Sequence, residues 1–258
     1  MTPRFIATIV LTALAFAGAA AAGAAQAAEL KVISAGAVRV VLRGMMDEFA
    51  QAGGHTFNFT IGSTGRLREV ITSGEPADLI ITASALMDEL EKTGKITPGS
   101  RADLGRIGVG IVLRDGVTKA DVATPEGLKQ ALIDAQKIAY TDPKLGGATY
   151  AHLLKVAESF GLADMVKSKG VFATGGDDAA AKVARGEADL AMVFISEIQA
   201  GGAKMAAALP ESLQLWAIYS AAIPVASKEP ALARAFLAAL SGPAMAPRWS
   251  AAGWRPVR

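Results

Sequence analysis

Hydrophobic and polar positions along the chain follow two spacings, one typical of strands and the other of helices. Residues 30–34 and 79–82 are short apolar runs, and residues 55–60 alternate as a half-buried strand does. Amphipathic stretches with helical spacing follow them, and a glycine closes several, as Gly94 does after residues 85–93. This order of strands and helices predicts an α/β fold with mostly parallel sheets.

The same alternation continues to the end of the chain, with neither an internal repeat nor a stretch of linker composition. Further strands are predicted over residues 106–113, 137–140, 171–173, 190–194, 213–217 and 223–226. Further helices are predicted over residues 38–52, 66–73, 125–134, 148–160, 162–167, 177–185, 231–240 and 244–252.

The first 27 residues have the pattern of a cleavable export signal. Arg4 supplies the positive start, residues 5–22 are apolar, and residues 25–27 (AQA) form a cleavage site. A single-span membrane anchor is the competing interpretation, but the stretch is rich in small residues and lacks basic residues behind it. We therefore expect residues 1–27 to be a signal peptide and the mature protein to be periplasmic.

Composition excludes several classes of function. Cleavage leaves 258 − 27 = 231 residues, and loss of Arg4 leaves 25 basic against 24 acidic residues, so the mature net charge is about +1. Such a balance lacks the basic patch of a nucleic-acid-binding protein. The chain has no cysteine and two histidines, which excludes disulfides and thiol nucleophiles and argues against a multi-histidine metal site. Neither a metal nor a cofactor is expected.

Two junctions between a predicted strand and a predicted helix suit an anion. Residues 63–66 (STGR) follow the strand at 55–60, and residues 34–37 (SAGA) follow the strand at 30–34. The start of a helix carries partial positive charge and unpaired N–H donors. Two such junctions in one lobe predict half of an anion-binding cleft, although an ordinary helix N-cap would also explain Ser63 and Thr64.

Two later apolar runs divide the chain into three segments. They lie around residues 109–113 and 218–226, and the middle segment has strand–loop–helix units of its own. This arrangement predicts a second lobe inserted into the first. Lobe I is expected to comprise residues 28–112 and 219–258, lobe II residues 113–218, with the ligand between them at the carboxyl ends of the strands.

Four stretches together resemble the periplasmic molybdate-binding protein family. They are VISAGAVRVVL, STGRLREVITSGEPADLIITA, DPKLGGATYA and VARGEADLAMVF. The resemblance implies a two-lobed type II periplasmic binding protein fold and the role of solute-binding component of an ABC importer. It also implies a monomer, with the importer's membrane components as partners and a small anion, oxyanion or organic carboxylate, as ligand.

The resemblance also implies which residues contact the ligand. By position, the first-lobe contacts fall at Ala37 and around Ser63, Thr64 and Gly65. The second-lobe contacts fall at Gly147, Gly176 and Phe194.

Two departures from the family pattern change the expected ligand. Ala37 stands where the family has a serine, and Phe194 stands where it has the tyrosine that gives a hydroxyl to the oxyanion. Arg66 and Arg39 lie in the first turns of the helices beside these positions. Because the arginine fork suits carboxylates, the pattern favours an organic carboxylate, with Arg66 as the expected ligand residue.

A branch of proteins similar to this family is enzymatic and isomerises aconitate. The chain has the size and the signal peptide of that branch, so interconversion of cis- and trans-aconitate is the alternative function. Lys144, His152, Asp177 and Asp178 are candidate bases for it, and the sequence does not choose among them.

Overall fold

The structure is a computed structural model that describes residues 27–257. It contains two mixed sheets, one of six strands and one of five, each flanked by helices. The two-lobed α/β architecture predicted from the sequence is confirmed. Residues 1–26, most of the expected signal peptide, lie outside the described residues. No helix between residues 27 and 257 has the length and apolar character needed to cross a bilayer.

The first lobe is built from both ends of the chain. Its strands are β1 (Glu29–Ala35), β2 (Thr56–Gly62), β3 (Leu79–Ala83), β4 (Ala102–Ile107), β10 (Ala217–Ala222) and β11 (Trp254–Arg255). Its helices are α1 (Arg39–Gly53), α2 (Thr64–Thr72), α3 (Ser84–Lys92), α9 (Pro230–Ser241) and α10 (Ala246–Ala251), with 3₁₀ turns at Gly36–Val38 and Pro243–Met245.

The second lobe is built from the middle of the chain. Its strands are β5 (Val109–Leu113), β6 (Ile138–Thr141), β7 (Gly170–Ala173), β8 (Leu190–Phe194) and β9 (Met205–Ala208). Its helices are α4 (Pro125–Asp134), α5 (Ala148–Ser159), α6 (Ala163–Ser168), α7 (Gly176–Ala184) and α8 (Ile195–Ala200), with 3₁₀ turns at Pro143–Leu145 and Glu211–Leu213.

The two sheets share one topology. The first has the order β11-β4-β10-β3-β1-β2 and the second the order β7-β6-β8-β5-β9. In each sheet three strands run parallel, and a strand that has crossed from the other lobe joins them antiparallel. Parallel strands place all their carboxyl ends at one edge of a sheet, so the helix starts that follow them gather there.

The chain crosses between the lobes at positions that differ slightly from the predicted boundaries. The expected boundaries were 112/113 and 218/219, whereas sheet membership places the first crossing at Gly108 and the second between β9 and β10. The Gln214 side chain ties the two crossings together, because it accepts a hydrogen bond from Val109 N at 2.7 Å and donates one to Val109 O at 3.1 Å.

Three predicted elements of the later chain were wrong. The strand expected over residues 213–217 lies at Ala217–Ala222, residues 223–226 form no named strand, and the run over residues 106–113 breaks at Gly108 into two strands. In addition, β9 and α8 were not predicted. Strand β10 lies between β3 and β4, where Ser220, Ala221 and Ala222 are completely buried. Four of its six residues are alanine or serine, so apart from Ile218 and Tyr219 it lacks the run of large apolar residues on which the prediction depended.

Candidate functional site

A cleft of about 370 Å³ lies between the lobes. It is lined by the strand-to-helix junctions that precede or open α1, α2, α5, α7 and α8, so helix starts from both lobes face the same space. Each helix start offers unpaired N–H groups and partial positive charge. The cleft therefore offers N–H donors to an anion, beside the acidic side chains of Asp177, Asp178 and Glu197.

Most of the residues expected at the ligand are brought together here. The cleft lining includes six of the eight positions, namely Ala37, Ser63, Thr64, Gly147, Gly176 and Phe194. Gly65 and Arg66 are outside it. The buried hydroxyl residues Thr141 and Thr149 also line the cleft, as does the exposed Thr174. These threonines add hydroxyls that sequence reasoning did not assign.

Gly65 lies where the two lobes touch. Its N–H donates to Gly146 O at 3.3 Å, and a Cβ at position 65 would come within 2.7 Å of Leu145 O. Ser63 Oγ donates to the same Leu145 carbonyl. At the other end of the cleft, Ser196 Oγ donates to Ala37 O at 2.6 Å. These hydrogen bonds hold the lobes together across the cleft.

The cleft contains Arg39 rather than the expected Arg66. The Arg66 guanidinium pairs with Glu69 at 3.2 Å on the exposed face of α2, and its side chain is 52% exposed. Arg39, in contrast, lines the cleft and forms an ion pair with Asp177 of the other lobe. Nε of Arg39 is buried without a hydrogen-bond partner among the described residues. The ion pair of Arg39 with Asp177 uses Nη1, the arginine side chain is 36% exposed, and Nη2 has no hydrogen-bond partner among the described residues, so Nη2 remains as a donor for a ligand.

The base candidates named from the sequence separate into two groups. Asp177 and Asp178 line the cleft, where Asp178 accepts from Thr174 N at 3.0 Å. Lys144 and His152 are absent from the lining, and His152 Nε2 lies 2.7 Å from Leu213 O. Among residues 27–257, no cluster of three or more His, Cys, Asp or Glu side chains could hold a metal ion.

Sequence reasoning missed Glu197, a carboxyl group in the cleft. It lies in the first turn of α8, and its Oε2 accepts a hydrogen bond from Phe194 N at 3.1 Å. A Cβ at Gly176 would lie 2.0 Å from the same oxygen, so only glycine there leaves room for the carboxyl group. The available signal was a glutamate three residues after Phe194, in the position of a helix-capping acid.

The surroundings of Glu197 disfavour its charged form. Burial is the main cause that raises its pKa, and the neighbouring Asp177 raises it further. The Phe194 N–H and Arg39 oppose this change, and the pKa rises from 4.5 to about 7. Tyr219 also lines the cleft, and burial together with Glu197 raises its pKa above the ordinary 10, so its phenol stays protonated at neutral pH.

We expect Glu197→Gln to stabilise the folded protein more at pH 8 than at pH 4. Between pH 4.5 and about 7 the folded wild type retains a proton that the unfolded chain has released, so its stability falls as the pH rises. The amide side chain of the variant does not titrate, and it retains an oxygen that accepts the Phe194 N–H bond. The difference between the two pH values should approach about 2–3 kcal/mol.

Urea denaturation of both proteins across this pH range measures the effect. Glu158→Gln, which changes an exposed glutamate of the same lobe, is the matched control and should show no such pH dependence. If the free energies of unfolding of wild type and Glu197→Gln change in parallel with pH, Glu197 ionises as an ordinary carboxyl group does, which would contradict the prediction.

Comparison with known proteins agrees with this geometry. The family model described as bacterial extracellular solute-binding protein matches residues 30–255. An aconitate isomerase from Pseudomonas sp. is 28% identical over 263 residues, covering 100% of this chain and 98% of that protein.

Two solved structures show the same fold. The periplasmic molybdate-binding protein of Azotobacter vinelandii superposes with a TM-score of 0.74 at 24% identity, covering 88% of this chain and 98% of that one. Peb3 of Campylobacter jejuni with bound L-phospholactate has a TM-score of 0.63 at 13% identity, covering 88% and 99%. The fold is thus the type II periplasmic binding protein fold, and the chain belongs to the family of bacterial extracellular solute-binding proteins.

Proposed function

We propose that this protein is exported to the periplasm and holds a small organic carboxylate in the cleft between its lobes. The observation that carries the proposal is Arg39, which lines the cleft among helix starts from both lobes. Among the described residues, its guanidinium pairs with Asp177 through Nη1 and makes no hydrogen bond through Nη2. Arginine binds carboxylates through its planar fork of donors. Ser63, Thr64, Gly147 and Gly176 would supply further donors to the ligand.

Two positions of the lining, rather than its hydroxyl content as a whole, favour a carboxylate over a small tetrahedral oxyanion. Ala37 and Phe194 bring no hydroxyl to the cleft, at the two positions where the molybdate-binding pattern has one. A buried anion oxygen without a partner costs roughly 1–3 kcal/mol or more. The volume of about 370 Å³ is many times the ~30 Å³ that one water occupies, so a ligand with several carbons fits. L-phospholactate in Peb3 shows that this fold accommodates an organic carboxylate.

A ligand screen tests this proposal. At equal concentrations, cis-aconitate, trans-aconitate and citrate are expected to raise the melting temperature of the mature protein, and molybdate, tungstate, sulfate and phosphate are not. A ligand present at 100 times its Kd stabilises the folded state by about 2.7 kcal/mol. Stabilisation by molybdate alone would contradict the carboxylate assignment.

A second function is favoured by Glu197 and by the relative that matches over its whole length. That relative is named an aconitate isomerase, and a carboxyl group with a pKa of about 7 in a ligand cleft suits proton transfer at neutral pH. The candidate activity is interconversion of cis- and trans-aconitate. A carrier would deliver its ligand to the membrane components of an ABC importer, whereas an isomerase would release a changed ligand.

Incubation of either aconitate isomer with the protein, followed by chromatography, separates the two functions. An isomerase approaches the same mixture from both starting isomers. Unchanged ligand after prolonged incubation at high protein concentration would leave the carrier function alone.

A further inference from the structure

We infer that Glu197 is the residue that removes and returns the proton when the cleft isomerises an unsaturated carboxylate. The inference rests on the second candidate function proposed above. It concerns a cleft residue that sits between Gly36 of one lobe and Gly176 of the other, among the helix starts and near Arg39.

The reaction is a movement of one double bond and one proton. A base removes a proton from the methylene carbon beside a carboxylate, and the C–H electron pair forms the new double bond as the original double bond opens. The same proton, or one exchanged with solvent, then bonds to the former vinylic carbon. Atoms and electrons balance without an oxidant, a reductant or a cofactor. The carbon that loses the proton and the carbon that receives it are separated by only one other carbon. A single carboxyl group can therefore remove the proton from one and return it to the other.

The position of Glu197 fits this task. Oε2 accepts from Phe194 N, whereas Oε1 has no protein hydrogen bond among the described residues and faces Gly36, where an added Cβ would lie 3.7 Å away. One oxygen is therefore anchored and the other is available to a ligand. The short helix α8 holds the carboxyl group over the start of α7, and glycine at Gly176 and Gly201 permits this close packing.

The rest of the cleft fits the charge that develops. When the proton leaves carbon, negative charge spreads onto the neighbouring carboxylate, and the helix starts and Arg39 lie where they stabilise it. The charged and titratable groups around Glu197 are Asp177 on α7, Arg39 on α1 and Tyr219 on β10. Their combined effect with burial places the pKa of Glu197 at about 7, where a carboxyl group can both accept and return a proton.

Glu197→Gln in the full-length exported protein is the test. The variant should bind cis- and trans-aconitate within about threefold of wild type by calorimetry, and isomerise either of them at least about 100-fold more slowly. It should also fail to exchange the methylene protons of bound aconitate with D₂O, which NMR measures separately from turnover. The wild-type rate should rise with pH around 7, as Glu197 ionises. Glu158→Gln should leave binding, turnover and exchange unchanged.

The outcomes distinguish this inference from the functions on which it depends. Full turnover or exchange by Glu197→Gln would overturn the inference and leave the isomerase function intact. Wild-type protein that binds aconitate but neither isomerises it nor exchanges its protons would overturn both and leave carboxylate binding standing. Wild-type protein that binds no carboxylate would overturn the role of Glu197, the isomerase function and the proposed carboxylate binding together.

Discussion

Replacing Arg39 with alanine is expected to weaken binding of the preferred carboxylate by about 2–5 kcal/mol, the usual cost of removing one member of a desolvated charge pair. Arg39 is the cleft arginine, and its Nε is buried and unpaired among the described residues. Arg66→Ala and Arg68→Ala are matched controls, because both arginines lie on the exposed face of α2 and pair with Glu69 and Glu89. These variants should change affinity little, as exposed ion pairs contribute little. Calorimetric titration with the preferred carboxylate measures the affinity of all three variants.

A double variant separates two causes of the expected loss. Arg39→Ala also leaves Asp177 without its partner, so part of the weakening would come from repulsion between Asp177 and the anion. If removing Asp177 as well restores most of the affinity, Arg39 acts by neutralising Asp177. If the loss persists, Arg39 holds the ligand itself. Equal, small losses for Arg39→Ala and Arg68→Ala would show that backbone N–H groups bind the anion without an arginine.

Replacing Asp78 with alanine is expected to lower the free energy of unfolding by about 3–5 kcal/mol, because four partly buried donors lose their buried acceptor at once. Asp78 is 3% exposed, and its carboxylate accepts hydrogen bonds from Lys31 N, Ser227 Oγ, Lys228 N and Glu229 N at 2.7–3.0 Å. It thereby joins β1 to the start of α9, two distant parts of lobe I. A fully buried donor left without a partner costs roughly 1–3 kcal/mol, and these partly buried donors each cost less.

The Asp78 contribution has a defined pH dependence. Burial alone would raise the pKa of this carboxyl group, but the N–H donors of Lys31, Glu229 and Lys228 lower it below its ordinary 3.8. A lowered pKa means that the stabilisation is complete above about pH 4 and is lost as the pH falls through the folded-state pKa. Urea denaturation should therefore show a smaller difference in free energy of unfolding between wild type and Asp78→Ala at about pH 2.5 than at about pH 7. Asp47→Ala, which removes an exposed carboxylate of α1, should cost under about 0.5 kcal/mol.

Asp189 gives lobe II a related anchor. It is 6% exposed and accepts from Gln136 N and Lys137 N at 2.7 and 3.0 Å, and Arg114 Nε donates to it at 2.9 Å. In both lobes the aspartate stands between an alanine and a leucine that begins a central strand, at residues 77–79 and 188–190. The buried carboxylates thus position β3 and β8, and β8 leads directly into the helix that carries Glu197.

Glu197 illustrates a conflict between stability and function. A carboxyl group whose folded-state pKa is raised to about 7 reduces stability at neutral pH, because the folded state disfavours the charge that the unfolded state tolerates. The fold keeps this group in the cleft, and a glycine at Gly176 leaves the space for it. A group that binds or transfers protons, as proposed for Glu197, explains such an arrangement better than a helix cap does, because a neutral glutamine at the same position would accept the Phe194 N–H bond without this cost.

The sequence by itself determined the class of the fold and the location of the cleft. Strand and helix spacings are local properties of the chain, and they predicted β1, α1, β3, α5 and β8 to within about two residues at each end. The carboxyl ends of parallel strands meet at one edge of a sheet whatever the details of packing. For this reason the junctions at residues 34–37 and 63–66 could be assigned to a cleft before their partners from the second lobe were known.

Only the tertiary structure decided which side chains enter that cleft. Arg39 and Arg66 both follow a strand and open a helix, and the sequence favoured Arg66 because it stands directly after Ser63, Thr64 and Gly65. Packing of Leu67, Val70 and Ile71 against the core fixes the rotation of α2 about its axis and turns Arg66 to its exposed face. The 3₁₀ turn at Gly36–Val38 precedes α1, and Arg39 faces Asp177 across the cleft. Glu197 lies on a helix of six residues directly after a buried strand, too short to show helical periodicity. Its raised pKa arises from burial and from Asp177, which belongs to a different helix, and such proximity exists only after the chain has folded.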